Sequence, residues 1–516
     1  MAGSLNSLEV RPRQSSLDGD AHVLAGWLEA HKAIVLLAFT AVYFLGAVLH
    51  ARSKPFWFDE IVTIIVAKTP DLPTAWRAAT EIDAMPPLSH ALAHLFVRWF
   101  GVTEVSVRMP AMLGFWIFCL SLFWFTRRRV GIYYALTAML LPVVTGAYLY
   151  AVEARAYGPE LAFCGLALVA WQSASENRKR SIAIPGLAIC LAAALLCHYY
   201  AALLYIPLCG GELVRITRTR RIDWGMGAAL AAGTAPVLWR MATIVGVVKG
   251  FTHTWAPPSP EQILEFWETG LQQTGTFVTL WLAMLALAIV ADRNAPAPAE
   301  SAPAQVPDHE WMAGVLFLTI PTAAVVGALL VTHMFTFRYA LIGLTGFYLL
   351  APMLAAHLLG GRALWGLVMW MVTVVGLGFA TIDIPARQNP FDAEPILREA
   401  LRQGPVAVPD GQLFLRMWQY APDELKSRLL FLADNEAAVQ YMGFDTIDGG
   451  MRGLVPWSQI PLVEYRDFAK PGREFLVYQN ALRPGWLLSK VVDDGGLAEI
   501  QKQSPYRSLV RVRLKP

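Results

Sequence analysis

Apolar residues run in long blocks along this chain, with charged residues gathered between them. Several blocks reach roughly 18–20 residues, the length an α-helix needs to cross a bilayer core. Reading the blocks between their charged punctuation predicts about eleven spans. They lie near 33–50, 106–126, 131–150, 157–174, 181–197, 199–214, 225–245, 273–291, 311–332, 338–358 and 363–381. Helices in the core of a soluble protein keep a polar face, and most of these blocks have none. After residue 385 the pattern changes. Pro and Gly punctuate, and strand-like pieces appear (V-A-V-P, L-L-F-L, F-L-V-Y and L-V-R-V-R-L), with a helical stretch around 433–442. The pattern predicts a mainly α, polytopic membrane domain over 1–384 and a small soluble α/β domain over 385–516. The Trp, Phe and Tyr content of the tail argues against disorder there.

Composition agrees with a second solvent. Of 516 residues, 56% are hydrophobic and only 16% charged, with a mean hydropathy of +0.44, far from soluble usage. The net charge of +3 says little as a total; its distribution says more. Alternate loops carry R-R-R at 127–129, R-K-R at 178–180, R-I-T-R-T-R-R at 215–221, then Arg293 and Arg362. The others carry Arg155, Lys249 and Arg338, with Arg240 near one span end. The basic set belongs in the cytoplasm. The N-terminus is then inside, and the loop at 51–105 and the C-terminal domain are outside. The segment 87–100 is apolar but short and holds two His and an Arg; counting it as a span would invert every later loop. It reads as an interfacial amphipathic helix. A polar stretch of about thirty residues precedes the first block and no small-residue cleavage site ends it, so that block is expected to stay as an anchor. The Ala/Pro segment 294–307 is a flexible cytoplasmic linker. Cys119, Cys164, Cys190, Cys197 and Cys209 all lie in or beside apolar runs, without C-x-x-C spacing, and read as small core residues.

Candidate chemistry collects on the outer side. The first outer loop opens K-P-F-W-F-D-E-I, setting Asp59 and Glu60 just past the first span, where two adjacent acids are costly unless solvated or employed. E-I-D-A-M-P-P-L follows, with Asp83 before a Pro-Pro helix start. Further along come Y-A-V-E-A-R-A-Y-G-P, with Glu153, Arg155 and Tyr157; C-H-Y-Y-A, with His198 and Tyr199; and T-F-R-Y-A, with Arg338 and Tyr339. Taken singly, each has an ordinary reading: a loop acid, a helix cap, an interfacial ion pair, a hydrogen-bonding His or a snorkelling Arg. With Lys249 they share one face, where acids for base chemistry meet cations for an anionic group. Paired acids also bind hard cations, and a divalent metal at Asp59–Glu60 is left unassigned.

The order W-F-D-E, D-x-x-P-P-L, R-M-P-A, E-A-R-A-Y, H-Y-Y-A, R-Y-A, over roughly residues 35–350, resembles the glycosyltransferase family 39-type GT-C enzymes. Protein O-mannosyltransferases and the bacterial transferase that adds aminoarabinose to lipid A belong to that group. Related sequences commonly read D-x-H-P-P-L; Met85 takes the His place here. The resemblance implies a bacterial inner-membrane enzyme that uses a polyprenyl-phosphate sugar on the outer face, without a nucleotide-sugar metal site. It implies Asp59 as the principal catalytic carboxylate, with Glu60 and Asp83 shaping the site. Glu153 and Arg155 would lie near donor or acceptor, and Arg338, Lys249 or Arg155 would hold the leaving charge. A carboxylate base and a good phosphate leaving group suit inverting single displacement. Other classes predict other patterns. A flippase of lipid-linked sugars needs charges mid-span, and a polysaccharide ligase or polymerase favours Arg-rich outer loops and a His-dominated site. A scaffold leaves the first-loop acids without a purpose. The C-terminal domain, lacking any nucleophile or phosphate-loop motif, is expected to position an acceptor or a partner protein.

Overall fold

The computed structural model describes residues 16–82, 85–250, 253–271, 305–381 and 388–516, with isolated positions between 279 and 290. Six helices open the chain: α1 (Ser16–Ala30), α2 (Lys32–Ser53), α3 (Phe58–Ala67), α4 (Leu72–Ile82), α5 (Leu88–Phe100) and α6 (Glu104–Arg127). Among the described residues, four helices are long and apolar enough to cross a membrane: α2, α6, Arg180–Cys197 and Phe337–Leu358. Two bent pairs, Ile132–Val144 with Gly146–Val152 (71°) and Asp308–Leu318 with Ile320–Thr332 (47°), raise that to six if each is one span. The chain is a multi-pass membrane protein. The remaining predicted stretches are helical too, except 273–291, most of which lies outside the described residues.

The breaks have a cause written in the sequence. Pro236 and Pro321 each sit in the first turn of the piece that follows a break, and Pro142 opens the short 3-10 turn Leu141–Val144 that leads into the 71° bend. Proline removes a helical N–H and clashes with the preceding turn, so the apolar run continues in a new direction. The stretch predicted at 225–245 is split at Pro236 into Trp224–Gly233 and Ala235–Trp239, with a further piece at Met241–Gly250.

The basic loops meet at one end. Arg128, Arg129 and Arg178 pair with Glu176, Arg129 also with Glu310, Arg180 with Asp223, and Arg215 with Glu212 at 2.7 Å and Asp223 at 3.0 Å. Two ion-pair groups, one around Glu176 and one around Asp223, thus tie the segment 176–180 to the loops at 127–129 and 215–221, which places the three on a common side.

The C-terminal region builds a six-stranded sheet in the order β3-β2-β1-β4-β6-β5. Its strands are β1 (Val406–Ala407), β2 (Leu429–Ala433), β3 (Leu462–Glu464), β4 (Glu474–Asn480), β5 (Leu497–Gln503) and β6 (Arg507–Arg513). The first four run parallel, and β6 is antiparallel to both β4 and β5. The four strand-like pieces read from the sequence are β1, β2, β4 and β6. The short β3 and the fully exposed β5 carry no strong apolar alternation.

This sheet is seated on the loop helices. One apolar cluster contains Phe56, Ile61, Val62, Ile64 and Ile65 of the α3 region together with Leu397, Leu413, Phe414, Leu415 and Phe431. The Phe56 N–H donates to Tyr420 Oη at 2.7 Å, and Arg77 of α4 lies over the Trp457 ring. The segment 87–100 is a helix, α5, with His90, His94 and Val97 buried and Trp99 and Phe100 exposed.

Candidate active site

The turn from α2 into α3 is held by a guanidinium. Arg108, in the first turns of α6, is fully buried together with Glu60. Its Nε and Nη2 donate to the two Glu60 oxygens at 2.6 Å each. Nη1 donates to the carbonyls of Ala51 and Lys54, also at 2.6 Å each. Such a planar fork suits a carboxylate, and these carbonyls together with that of Pro55, at 3.3 Å from Nη2, use up its remaining donors.

From this anchor α3 grips the segment 153–155. Glu60 accepts from the Ala154 N–H at 2.8 Å, and Thr63, one turn on, donates to the Ala154 carbonyl at 2.9 Å. Lys54 donates to Glu153 at 2.5 Å. With Ala154 clipped on both sides, Arg155 is delivered to the N-terminus of α3. There Asp59 occupies the first turn, where the helix dipole favours a carboxylate.

Asp59 is the meeting point. Its Oδ2 lies 3.4 Å from an Arg155 nitrogen and 3.4 Å from an Arg338 nitrogen. Among the described residues that oxygen makes no hydrogen bond, although it is buried. Arg338 lies over the rings of Trp57 and Trp255. Beside this triad is a group of rings. Tyr157 packs on His198 (5.3 Å between centroids) and edge-on to Tyr150 (5.2 Å), while Tyr339 stacks on Tyr200 (4.8 Å) and touches His198 (5.3 Å).

The candidate residues therefore fall into groups. Asp59, Arg155 and Arg338 converge directly, with Tyr157, His198 and Tyr339 adjacent. Glu153 stands one residue away, held by Lys54. Glu60 is inside, with both oxygens engaged by Arg108. Tyr199 turns to another partner: its hydroxyl accepts from Arg240 Nε at 2.9 Å, and Arg240 also reaches Thr80 of α4. Asp83 and the Lys249 side chain lie outside the described residues. The Asp59–Glu60 pair does not offer two free carboxylates to one cation, because each acid already faces its own guanidinium. Among the described residues no group of three or more His, Cys, Asp or Glu is arranged to hold a metal. Arg108 was quoted in the R-M-P-A motif without a role. An Arg five residues into an apolar helix is the signal that it has a buried partner.

This arrangement of bent apolar helices, loop helices and a seated α/β sheet is a GT-C membrane fold. In particular, the chain is similar to the crystal structure of ArnT from Cupriavidus metallidurans in the apo state. The TM-score is 0.55 at 12% identity, covering 94% of this chain and 98% of that one. The structure of the same ArnT bound to undecaprenyl phosphate gives a TM-score of 0.56 at 12% identity, covering 92% of this chain and 97% of that one. No family model matches the chain, and no curated protein sequence matches it.

Proposed function

We propose that this protein is an integral-membrane glycosyltransferase. It moves a sugar from a polyprenyl-phosphate donor to a hydroxyl acceptor (a lipid, polysaccharide or protein) on the outer face of the membrane. The observation that carries the reading is Asp59: a buried carboxylate oxygen without a hydrogen bond, set between two guanidinium groups. One point then holds both a proton acceptor and the cations an oxyphosphate needs. The nearness of the fold to an ArnT bound to undecaprenyl phosphate supports a polyprenyl-linked donor.

In this reading the acceptor oxygen attacks the anomeric carbon as the bond to the lipid phosphate breaks. The acceptor's proton passes to Asp59, and the electron pair leaves with the phosphate. Arg155 and Arg338 stabilise that departing charge, being fixed before the reaction begins. Attack from the face opposite the phosphate inverts the anomeric centre. The rings of Tyr157, His198 and Tyr339 form an apolar wall beside the reacting groups. Glu60 acts through position: it holds Ala154, and hence Arg155, against Asp59. Asp83 and Lys249 keep the roles the resemblance implies, as shaper of the site and as a second cation. We place the protein in the bacterial inner membrane, with the N-terminus cytoplasmic and the C-terminal domain outside, on the distribution of its basic loops.

The test is mass spectrometry of surface lipids and glycans from cells carrying the wild-type gene, no gene, or Asp59→Asn. The gene should add one sugar-modified species. Asp59→Asn should lower it about a hundredfold or more at equal protein level, the range for losing a general base. Undiminished product from Asp59→Asn would remove the assignment.

A further inference from the structure

One buried polar group beside the site has no task in the fold. His90, on α5, is 5% exposed. Among the described residues its Nδ1 has the Ser89 hydroxyl near, at 3.5 Å, and its Nε2 has no hydrogen-bond partner. His94, one turn further along the same helix, shows the ordinary alternative: its Nδ1 lies 3.1 Å from the Ala67 carbonyl. A buried nitrogen left unpaired costs free energy that a hydrocarbon side chain of the same size avoids.

The His90 ring lines a small cavity with Thr63, Met85, Val107, Pro110, Ala154 and Arg155. Its free space admits about one water-sized group. Arg155 belongs to both places, since its guanidinium contacts Asp59 and its side chain walls this cavity. Burial first, and the Arg155 charge second, hold the imidazole far below its usual value, at about 3. At neutral pH the ring is uncharged, with one nitrogen a donor and the other an acceptor. Apolar walls and a neutral imidazole around space for about one water-sized group are too small and too weakly charged for a phosphate. They match a neutral hydroxyl carried on a C–H surface, which is carbohydrate chemistry.

We propose that the His90 cavity is a subsite for one hydroxyl of a carbohydrate substrate, with His90 Nε2 as its hydrogen-bond partner and Arg155 linking it to Asp59. The proposal rests on the glycosyltransferase reading and adds a residue that determines which sugar is accepted. The hydroxyl belongs either to the sugar of the donor or to a glycan acceptor.

The experiment uses the full chain in its native membranes, with endogenous donor and acceptor, and reads product by mass spectrometry. Purified protein supplies the unfolding midpoint in detergent. His90→Leu should cut the initial rate roughly tenfold or more, with the midpoint unchanged or raised, because the unpaired nitrogen is gone. His90→Gln, which restores a neutral polar group, should stay within a few-fold of wild type. Added undecaprenyl phosphate, a competitor of the donor, separates the two sources. Greater sensitivity of His90→Leu assigns the hydroxyl to the donor sugar, and unchanged sensitivity assigns it to the acceptor. Wild-type rate in His90→Leu overturns the proposal. So does a lost rate with a lowered midpoint that Gln does not rescue, since that marks a packing role. Asp59→Asn, run alongside, isolates the broader reading: if it keeps its product, the glycosyltransferase assignment fails first.

Discussion

Asp59 and Glu60 are neighbours in sequence with opposite environments. Successive helical residues point about 100° apart, so one acid faces the cavity while the next turns into the protein. Asp59 meets Arg155 and Arg338, and Glu60 meets Arg108 in a fully buried, doubly bonded pair. The sequence marked the pair as unusual and placed cations on the same face. It could not say which acid looked outward, because that depends on the direction in which α2 hands over to α3. Arg108 decides it by binding the carbonyls of Ala51 and Lys54. Glu60→Leu should therefore act on stability before chemistry. It leaves the Arg108 charge buried without its carboxylate and the Ala154 N–H without an acceptor. Losing one partner of a buried pair costs about 3–5 kcal/mol. Fluorescence-detected unfolding in detergent should show a clearly lower midpoint. Asp59→Asn, by contrast, leaves a neutral amide between two guanidiniums that make no hydrogen bond to Asp59 Oδ2. Its midpoint should therefore fall less than that of Glu60→Leu while product is lost, and an equal fall in the two variants would contradict this division.

At the scale of elements, the helices were legible and their directions were not. Apolar length predicts that a stretch is buried in lipid, but a proline inside it redirects the run, as at Pro142, Pro236 and Pro321. Close crossings are equally hidden in a hydropathy reading. Where α6 passes the helix Tyr157–Ser175, a Cβ on Gly114 would fall on the Gly158 backbone, and one on Gly158 would fall on the Ala111 backbone. Small residues allow such contact between helices where the hydrophobic effect gives no drive to associate. The crossing fixes more than packing, because Arg155 stands three residues before Gly158 and Arg108 six before Gly114. Gly114→Ala places a methyl on backbone that has no rotamer with which to yield. Overpacking of this kind costs about 1–3 kcal/mol. Product formation should fall more than the unfolding midpoint does, since the shift moves Arg155 relative to Asp59. An active Gly114→Ala enzyme with a normal midpoint would show that the crossing has slack.

At the scale of the whole molecule, the C-terminal region is bound into the site's foundation. Its sheet was legible from short β-rich pieces between Pro and Gly, but its docking was not, because the residues that make the contact are hundreds of positions apart. Phe56, Ile61 and Ile65 bury their surfaces with Leu413, Phe414 and Phe431, and Tyr420 receives the Phe56 N–H. This cluster lies beneath the helix that carries Asp59. Removing 388–516 strips the cover from these side chains as well as any acceptor contacts the region makes. Each large apolar side chain uncovered loses roughly 1.5–3 kcal/mol of burial, so several together exceed what a short loop helix retains. The truncated chain should keep its spans, whose lipid contacts are untouched, yet lose product completely. Limited proteolysis from the outer side should then cut within 56–70, a segment protected in the full chain. A truncated protein that resists cleavage there and still transfers sugar would separate the two regions. The role of the C-terminal region would then be reduced to the choice of acceptor. Tyr420→Phe gives a milder version of the same test, removing the hydroxyl that receives the Phe56 N–H while leaving the apolar contact. Its product should fall only slightly, which would place the main coupling in the packed side chains.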